Sequence, residues 1–160
     1  ERLKKEATRE DKLSLVGTPE FWEHYSVLDF LYPDVLPWLR AKNREALHIL
    51  TAYKPSQGEQ AKAFQEAKIA SGNFDTLFES VTVMEGLKGP IGAEIAEQFP
   101  VNEAIIFIDD RLDQCLSMKE SLPASYCFLI TREGAQLETT PSGIMSVTNL
   151  AEVDAIMKDI

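Results

Sequence analysis

Residues 104–110 read Ala-Ile-Ile-Phe-Ile-Asp-Asp, which is a run of apolar side chains followed directly by two acids. A short apolar run that ends in polar residues is typical of a strand buried on both faces of a parallel sheet. The segment that follows, residues 111–122, has its apolar side chains at helical spacing. A buried strand followed by an amphipathic helix is the repeating unit of α/β proteins. This stretch therefore predicts an α/β fold.

The same alternation continues on both sides of this stretch. Right-handed crossovers between parallel strands covered on both faces give a three-layer, doubly wound, Rossmann-like sandwich, and this is the architecture that we expect. Asn149, with Glu152 three residues later, is typical of a capping box that opens the last helix. The predicted strands are residues 46–50, 78–84, 104–108, 126–130 and 143–147, and the predicted helices are residues 58–71, 90–98, 111–122 and 149–160.

The beginning of the chain has a different pattern. Residues 1–12 read as a charged helix, and Thr18-Pro19 suits an N-cap followed by a proline in the first turn of a short helix. We predict that residues 1–32 form a small helical cap or appendage and that residues 33–160 form the α/β core. Phe21, Trp22 and Tyr25 lie on one side of the short helix, where they suit a contact between appendage and core, or the lining of a substrate pocket.

Composition excludes several classes of protein. The formal charge of −10, with 26 acidic and 16 basic residues and no basic patch, disfavours nucleic-acid binding. The longest apolar runs are too short to span a membrane. Cys115 and Cys127 are the only cysteines, and they form no CxxC pair, which excludes a zinc ribbon and fits a reducing cytoplasm.

Polar residues stand at or after the ends of three predicted strands. Thr51 ends the first, Lys88 follows the second, and Asp109 with Asp110 ends the third. We expect them to meet because the carboxyl ends of parallel strands lie at one edge of a sheet. A hydroxyl group and an ammonium group can hold phosphate oxygens, and carboxylates can hold Mg²⁺. The set therefore predicts phosphoryl transfer on a small phosphorylated substrate.

Each of these residues also has a structural interpretation. Threonine is common at strand ends and in turns, as at Thr51. A single lysine such as Lys88 is common on a solvated surface. One of Asp109 and Asp110 can serve as the N-cap of the next helix. The order of the set along the chain is therefore more informative than any member.

That order resembles the motif series of the haloacid-dehalogenase (HAD)-type phosphohydrolases. Ile49-Leu50-Thr51 is similar to the second motif of the family, and Lys88, within Glu-Gly-Leu-Lys-Gly at residues 85–89, is similar to the lysine of the third. Residues 106–113, Ile-Phe-Ile-Asp-Asp-Arg-Leu-Asp, resemble the acidic fourth motif. Residues 31–39 resemble the segment by which these proteins return from cap to core.

The resemblance implies a role for each site residue. Thr51 and Lys88 would bind the transferring phosphoryl group during catalysis. Asp110, together with Asp109, would bind Mg²⁺, and Asp113 would support that turn. Response-regulator receiver domains also use paired acids, a threonine and a lysine, but there the paired acids end the first strand. The order in this chain therefore favours the HAD-type interpretation.

The chain departs from the family in one respect. Family members begin with a strand that ends in Asp-x-Asp, and no two aspartates here are two positions apart. Asp29 and Asp75 each lack a paired acid, which covalent phosphoryl transfer requires. In the family this strand lies between those that end in Thr51 and Asp110. We expect an upstream segment of the native protein to supply it, or else another chain or a rearranged segment.

Two hypotheses of function follow. The first is a Mg²⁺-dependent phosphomonoester phosphatase that is complete only with the nucleophile strand. The second is a non-catalytic, HAD-like binding or regulatory module that retains a phosphate or metal pocket.

Overall fold

The computed structural model describes residues 18–54, 56, 58–132 and 140–159. These residues form a mixed α/β structure in which all strand pairings are parallel, which confirms the predicted α/β class. We number the strands β1 (His48–Tyr53), β2 (Ser80–Glu85), β3 (Ile106–Asp109), β4 (Tyr126–Ile130) and β5 (Ile144–Val147). The α-helices are α1 (Pro19–His24), α2 (Val35–Arg40), α3 (Gly58–Ala70), α4 (Gly89–Ala96), α5 (Leu112–Ser121) and α6 (Leu150–Lys158).

The described residues group into two compact units. Residues 18–32 and 42–86 form the first unit, and residues 33–41 and 87–159 form the second. Residues 42–86, which the sequence assigns to the core, thus belong to the same unit as residues 18–32 of the predicted appendage. The predicted division into residues 1–32 and 33–160 stays a prediction, and the predicted helix at residues 1–12 lies outside the described residues.

The first unit contains a two-stranded parallel sheet, in which β1 pairs with β2 from His48 opposite Ser80 to Tyr53 opposite Glu85. Helix α3 packs on both strands, and α1 packs on α3. The connection after α1 is tied to the end of α3, because the Ser26 hydroxyl donates to the carbonyl of Ser71 and the Ser71 hydroxyl accepts from the N–H of Val27.

The second unit contains the sheet β3-β4-β5, in which β4 is the middle strand. Alternate residues of these strands point to opposite faces, so each face packs against a different helix. On one face Cys127, Leu129 and Ile144 pack with Cys115 and Met118 of α5. On the other face Phe128, Ile130 and Val147 pack with Leu150 and Val153 of α6. Helices therefore cover both faces of this sheet.

The last helix begins as the sequence predicts. The Asn149 side chain accepts a hydrogen bond from the N–H of Glu152 at 3.0 Å. The Glu152 carboxylate accepts in return from the N–H of Thr148 at 2.8 Å, one residue earlier than in a standard capping box. The predicted N-cap at Asn149 is confirmed.

Several predicted strand boundaries were wrong: β1 begins at His48 and not at residue 46, and β3 begins at Ile106 and not at residue 104. Hydrogen bonding explains two further differences. Strand β1 does not end at Thr51, because Ala52 and Tyr53 continue the ladder opposite Met84 and Glu85. Strand β2 begins at Ser80 and not at residue 78, because the N–H of Phe78 donates to the carbonyl of Phe74 in a preceding turn. None of the helices within the described ranges has the length and apolar character needed to cross a membrane.

Candidate functional site

An ion pair between Lys88 and Asp109 forms the centre of the candidate site. Lys88 directly precedes α4, and Asp109 is the last residue of β3. Lys88 Nζ lies 2.6 Å from Asp109 Oδ2, and the two side chains are only 16% and 3% exposed. Burying two charges is costly unless their geometry is good and further hydrogen bonds support them. The structure therefore brings together two of the residues that the sequence singled out.

The second oxygen of Asp109 closes the turn that follows β3. Asp109 Oδ1 accepts from the N–H of Arg111 at 2.9 Å, in the manner of an Asx turn. Burial raises the pKa of Asp109 above its ordinary value, although the Lys88 ammonium and the Arg111 N–H offset part of this effect. Both carboxylate oxygens of Asp109 thus have partners within the protein.

The two remaining acids of this turn are in different surroundings. Asp110, next to the buried pair, is exposed. Asp113 binds the guanidinium of Arg111 through both carboxylate oxygens, with Arg111 Nε 3.0 Å from Asp113 Oδ1. This hydrogen bonding lowers the pKa of Asp113. Asp113 also accepts from the N–H of Gln114 at 3.1 Å, so it links Arg111 to the start of α5.

The sequence reasoning missed the residues that hold the backbone beside Lys88. The N–H of Lys88 donates to Gln114 Oε1 at 2.8 Å, and the N–H of Gly89 donates to Ser117 Oγ at 3.2 Å. Gln114 and Ser117 are polar but buried residues of α5. Their spacing of three positions, which places them on one face of a helix together with Met118, is the signal that could have identified them.

Thr51 belongs to the first unit, whereas Lys88, Asp109 and Asp110 belong to the second. Thr51 is half-buried within β1, and its hydroxyl donates to Gln65 Oε1 of α3 at 2.9 Å. This bond gives the side chain a structural role in the packing of α3 on the sheet. The part of Thr51 in phosphoryl binding stays a prediction.

The three aromatic residues of α1 are packed among other rings. Phe21 and Tyr25 stack with their ring centroids 4.4 Å apart. Trp22 is 6% exposed and lies near Phe64 of α3. These contacts hold α1 on α3 within the first unit. The lining of a substrate pocket by Phe21, Trp22 and Tyr25 stays a prediction.

Carboxylates for a metal ion are few. Among residues 18–54, 56, 58–132 and 140–159, no group of three or more His, Cys, Asp or Glu side chains could hold an ion. Mg²⁺, however, keeps several of its waters and is commonly bound by one or two carboxylates together with substrate phosphates. Exposed Asp110, beside Asp109, fits that requirement. Such an ion would depend on a phosphate ligand for much of its affinity.

The site thus contains a partly buried ammonium group, that of Lys88, at the start of one helix, and an exposed carboxylate, that of Asp110, after the neighbouring strand. No known family model, no curated protein and no solved structure matches the chain. Any inference about the chemistry of the site therefore depends on the geometry of Lys88, Asp109 and Asp110.

Proposed function

We propose that this chain is the core of a Mg²⁺-dependent phosphomonoester phosphatase of HAD type, built on a three-layer, doubly wound sheet. The observation that carries the proposal is the ion pair between Lys88 and buried Asp109 next to exposed Asp110. A cation held in place before substrate arrives can stabilise charge on a phosphoryl group without reorganisation. The substrate is a small phosphorylated molecule.

Each residue of the site has a role in this proposal. Lys88 Nζ, which Asp109 holds in place, binds an oxygen of the phosphoryl group. Asp110, with Asp109, would hold Mg²⁺, and the ion would supply positive charge for the phosphate oxygens. Asp113 keeps Arg111 and the turn in position through the contacts described above.

A second function has its own supporting observation. The sequence has no two aspartates separated by a single residue, so the usual nucleophile and acid/base pair is missing from these 160 residues. A HAD-like module that binds phosphate or Mg²⁺ without turnover would need Lys88, Asp109 and Asp110 but no nucleophile. The two functions therefore differ in whether the phosphate ester is hydrolysed, whereas both include binding of phosphate or Mg²⁺ at the same residues.

The test is hydrolysis of an aryl phosphate, with and without Mg²⁺, by the chain together with a segment that supplies the Asp-x-Asp strand. Asp110→Asn removes the exposed carboxylate, and Asp159→Asn is a matched control at another exposed position. A phosphatase gives Mg²⁺-dependent turnover that Asp110→Asn abolishes and Asp159→Asn retains. Turnover that is unchanged in Asp110→Asn contradicts the proposed role of that residue.

The binding module is recognised by a different result. Inorganic phosphate would then perturb the NMR signals of the Lys88 side chain in the presence of Mg²⁺, while the aryl phosphate stays intact. Absence of both turnover and phosphate binding would contradict both functions.

A further inference from the structure

The start of helix α4 depends on groups from another helix. The first N–H groups of any helix have no acceptor within that helix, and they need partners from elsewhere. In α4 the proline Pro90 removes one of these donors, since its nitrogen carries no hydrogen. Lys88 occupies the N-cap position, but its side chain extends to Asp109 and cannot accept a hydrogen bond. The N–H groups of Lys88, Gly89 and Ile91 remain, and the first two have acceptors on a neighbouring helix.

Helix α5 supplies both acceptors from the side that faces α4. Gln114 is 1% exposed and Ser117 is 6% exposed, so both polar side chains are removed from water. A buried amide or hydroxyl group is costly unless it is hydrogen-bonded. Gln114 Oε1 accepts from the N–H of Lys88, and Ser117 Oγ accepts from the N–H of Gly89. The close approach is possible because Gly89 has no Cβ, which would overlap the Ser117 carbonyl.

We propose that Gln114 is the positioning residue of the site, and that it acts through the backbone of Lys88. Helix α5 begins three positions after Asp109, so a bond from Gln114 to the Lys88 N–H ties the two members of the ion pair to the same helix. Gln114 thereby fixes where the Lys88 side chain starts, and Asp109 fixes where its ammonium ends. The consequence for phosphate binding rests on the proposed function, but the positioning itself does not.

The experiment measures the reactivity of the Lys88 amine toward acetic anhydride in the 160-residue chain, with exposed Lys158 as the internal reference. Gln114→Met removes the acceptor and keeps the length of the side chain, so Lys88 should be acetylated about tenfold faster, as expected for the loss of one buried hydrogen bond. Mass spectrometry of the peptide that contains Lys88 reports the rate.

A control separates positioning from a general loss of stability. Val153→Ala opens space in the core on the opposite face of the sheet, away from α5, and should leave the Lys88 rate unchanged. The proposal is overturned if Lys88 in Gln114→Met is acetylated at the wild-type rate. It is also overturned if Val153→Ala raises the acetylation rate of Lys88 as much as Gln114→Met does. The labelling uses neither phosphate nor Mg²⁺, so its outcome does not depend on whether the chain is a phosphatase.

A measurement on the unmodified chain covers the case in which Gln114→Met does not fold. The amide hydrogens of Lys88 and Gly89 should exchange with deuterium as slowly as those in the middle of α5, because both are bonded to buried side chains. Exchange as fast as that of the exposed Asp110 amide would overturn the proposal.

Discussion

Lys88 Nζ and Asp109 Oδ2 lie 2.6 Å apart, although 21 positions separate the two residues along the chain. The pair joins the start of α4 to the end of β3 within the second unit. Because both side chains are largely buried, removing either one leaves the other with an uncompensated charge.

Lys88→Met should lower the free energy of unfolding by about 3–5 kcal/mol at neutral pH, the usual cost of breaking a buried pair. Since burial already raises the pKa of Asp109, loss of the ammonium should raise it further, and the carboxyl group should then protonate more readily. When the pKa of a carboxyl group is higher in the folded than in the unfolded state, the protein is most stable below the unfolded-state pKa, and this stability is lost as the pH rises through the folded-state pKa. The loss should therefore be smaller at acidic than at neutral pH, as urea denaturation can show.

Arg44→Met provides the matched control for this variant. Arg44 pairs with Glu79 at 2.6 Å, but both side chains are 47% exposed. A solvated pair contributes about 0–1 kcal/mol, so this variant should be nearly neutral. If Lys88→Met and Arg44→Met lowered the free energy of unfolding equally, burial would not be what makes the Lys88–Asp109 pair important for stability.

Asp34→Asn should weaken the second unit in a pH-dependent way. Asp34 Oδ2 accepts from Arg132 Nη1 at 2.6 Å and from the N–H of Leu150 at 3.0 Å. Burial alone raises the pKa of Asp34, but the Arg132 and Leu150 bonds together lower it below its ordinary value. A lowered pKa adds stability that is present above the unfolded-state value and is lost as the pH falls through the folded-state value.

The expected loss is about 1 kcal/mol at neutral pH, because the charge-assisted bond to Arg132 is weakened. The difference in free energy of unfolding between wild type and Asp34→Asn should begin to shrink below about pH 3.9, where the carboxyl group of the unfolded chain protonates, and should go on shrinking through the lower folded-state pKa. Urea denaturation at several pH values measures it. A difference that stays constant down to the most acidic values would show that Arg132 does not act through the Asp34 charge.

Gly89→Ala should be strongly destabilising. A Cβ at this position would overlap the backbone carbonyl of Ser117, which cannot rotate away as a flexible side chain can. Helices α4 and α5 would have to move apart, at a cost of about 3 kcal/mol. Thermal or urea denaturation measures the loss.

Gly86→Ala is the comparison for Gly89→Ala. A Cβ at Gly86 has open space around it, but the backbone has a φ of +86°, so only conformational strain is expected. That strain should cost about 1–2 kcal/mol. A larger loss from Gly86→Ala than from Gly89→Ala would contradict the close packing of α4 on α5.

Cys115 and Cys127 should be inert to thiol reagents while the protein is folded. Both residues are 0% exposed, and the Cys115 thiol contacts the carbonyl of Phe128. Burial, together with the nearby Asp109 charge, raises the pKa of Cys115 to about 12, and burial raises that of Cys127 as well. Only the thiolate reacts, so little of either residue is reactive at neutral pH.

Ellman's reagent should therefore titrate both cysteines in concentrated guanidinium chloride and neither one under native conditions. If the folded chain rapidly released one equivalent of the coloured thiolate from the reagent, one of the two cysteines would be accessible.

Local patterns in the sequence were sufficient to predict most helices and strands of the second unit. The apolar run at residues 126–130 coincides with β4, and Asn149 caps α6 as its side-chain chemistry predicts. These features depend on neighbouring residues alone, since burial of a short apolar run and capping of a helix are satisfied within a few positions. The end of β1 was mispredicted because the strand continues only where β2 offers Met84 and Glu85 as partners.

The sequence by itself determined which residues carry charge at the ends of apolar strands, and thus that Lys88, Asp109 and Asp110 are candidates for one site. Only the tertiary structure decided that the Lys88 ammonium lies on Asp109 and that Asp110 remains exposed. Gln114 would be assigned to a solvated helix face from its polarity, but the absence of a side chain at Gly89 lets α4 approach and bury it. The physical reason is that a buried polar group is stable only beside its partner, and that partner is chosen by packing between segments distant in the chain.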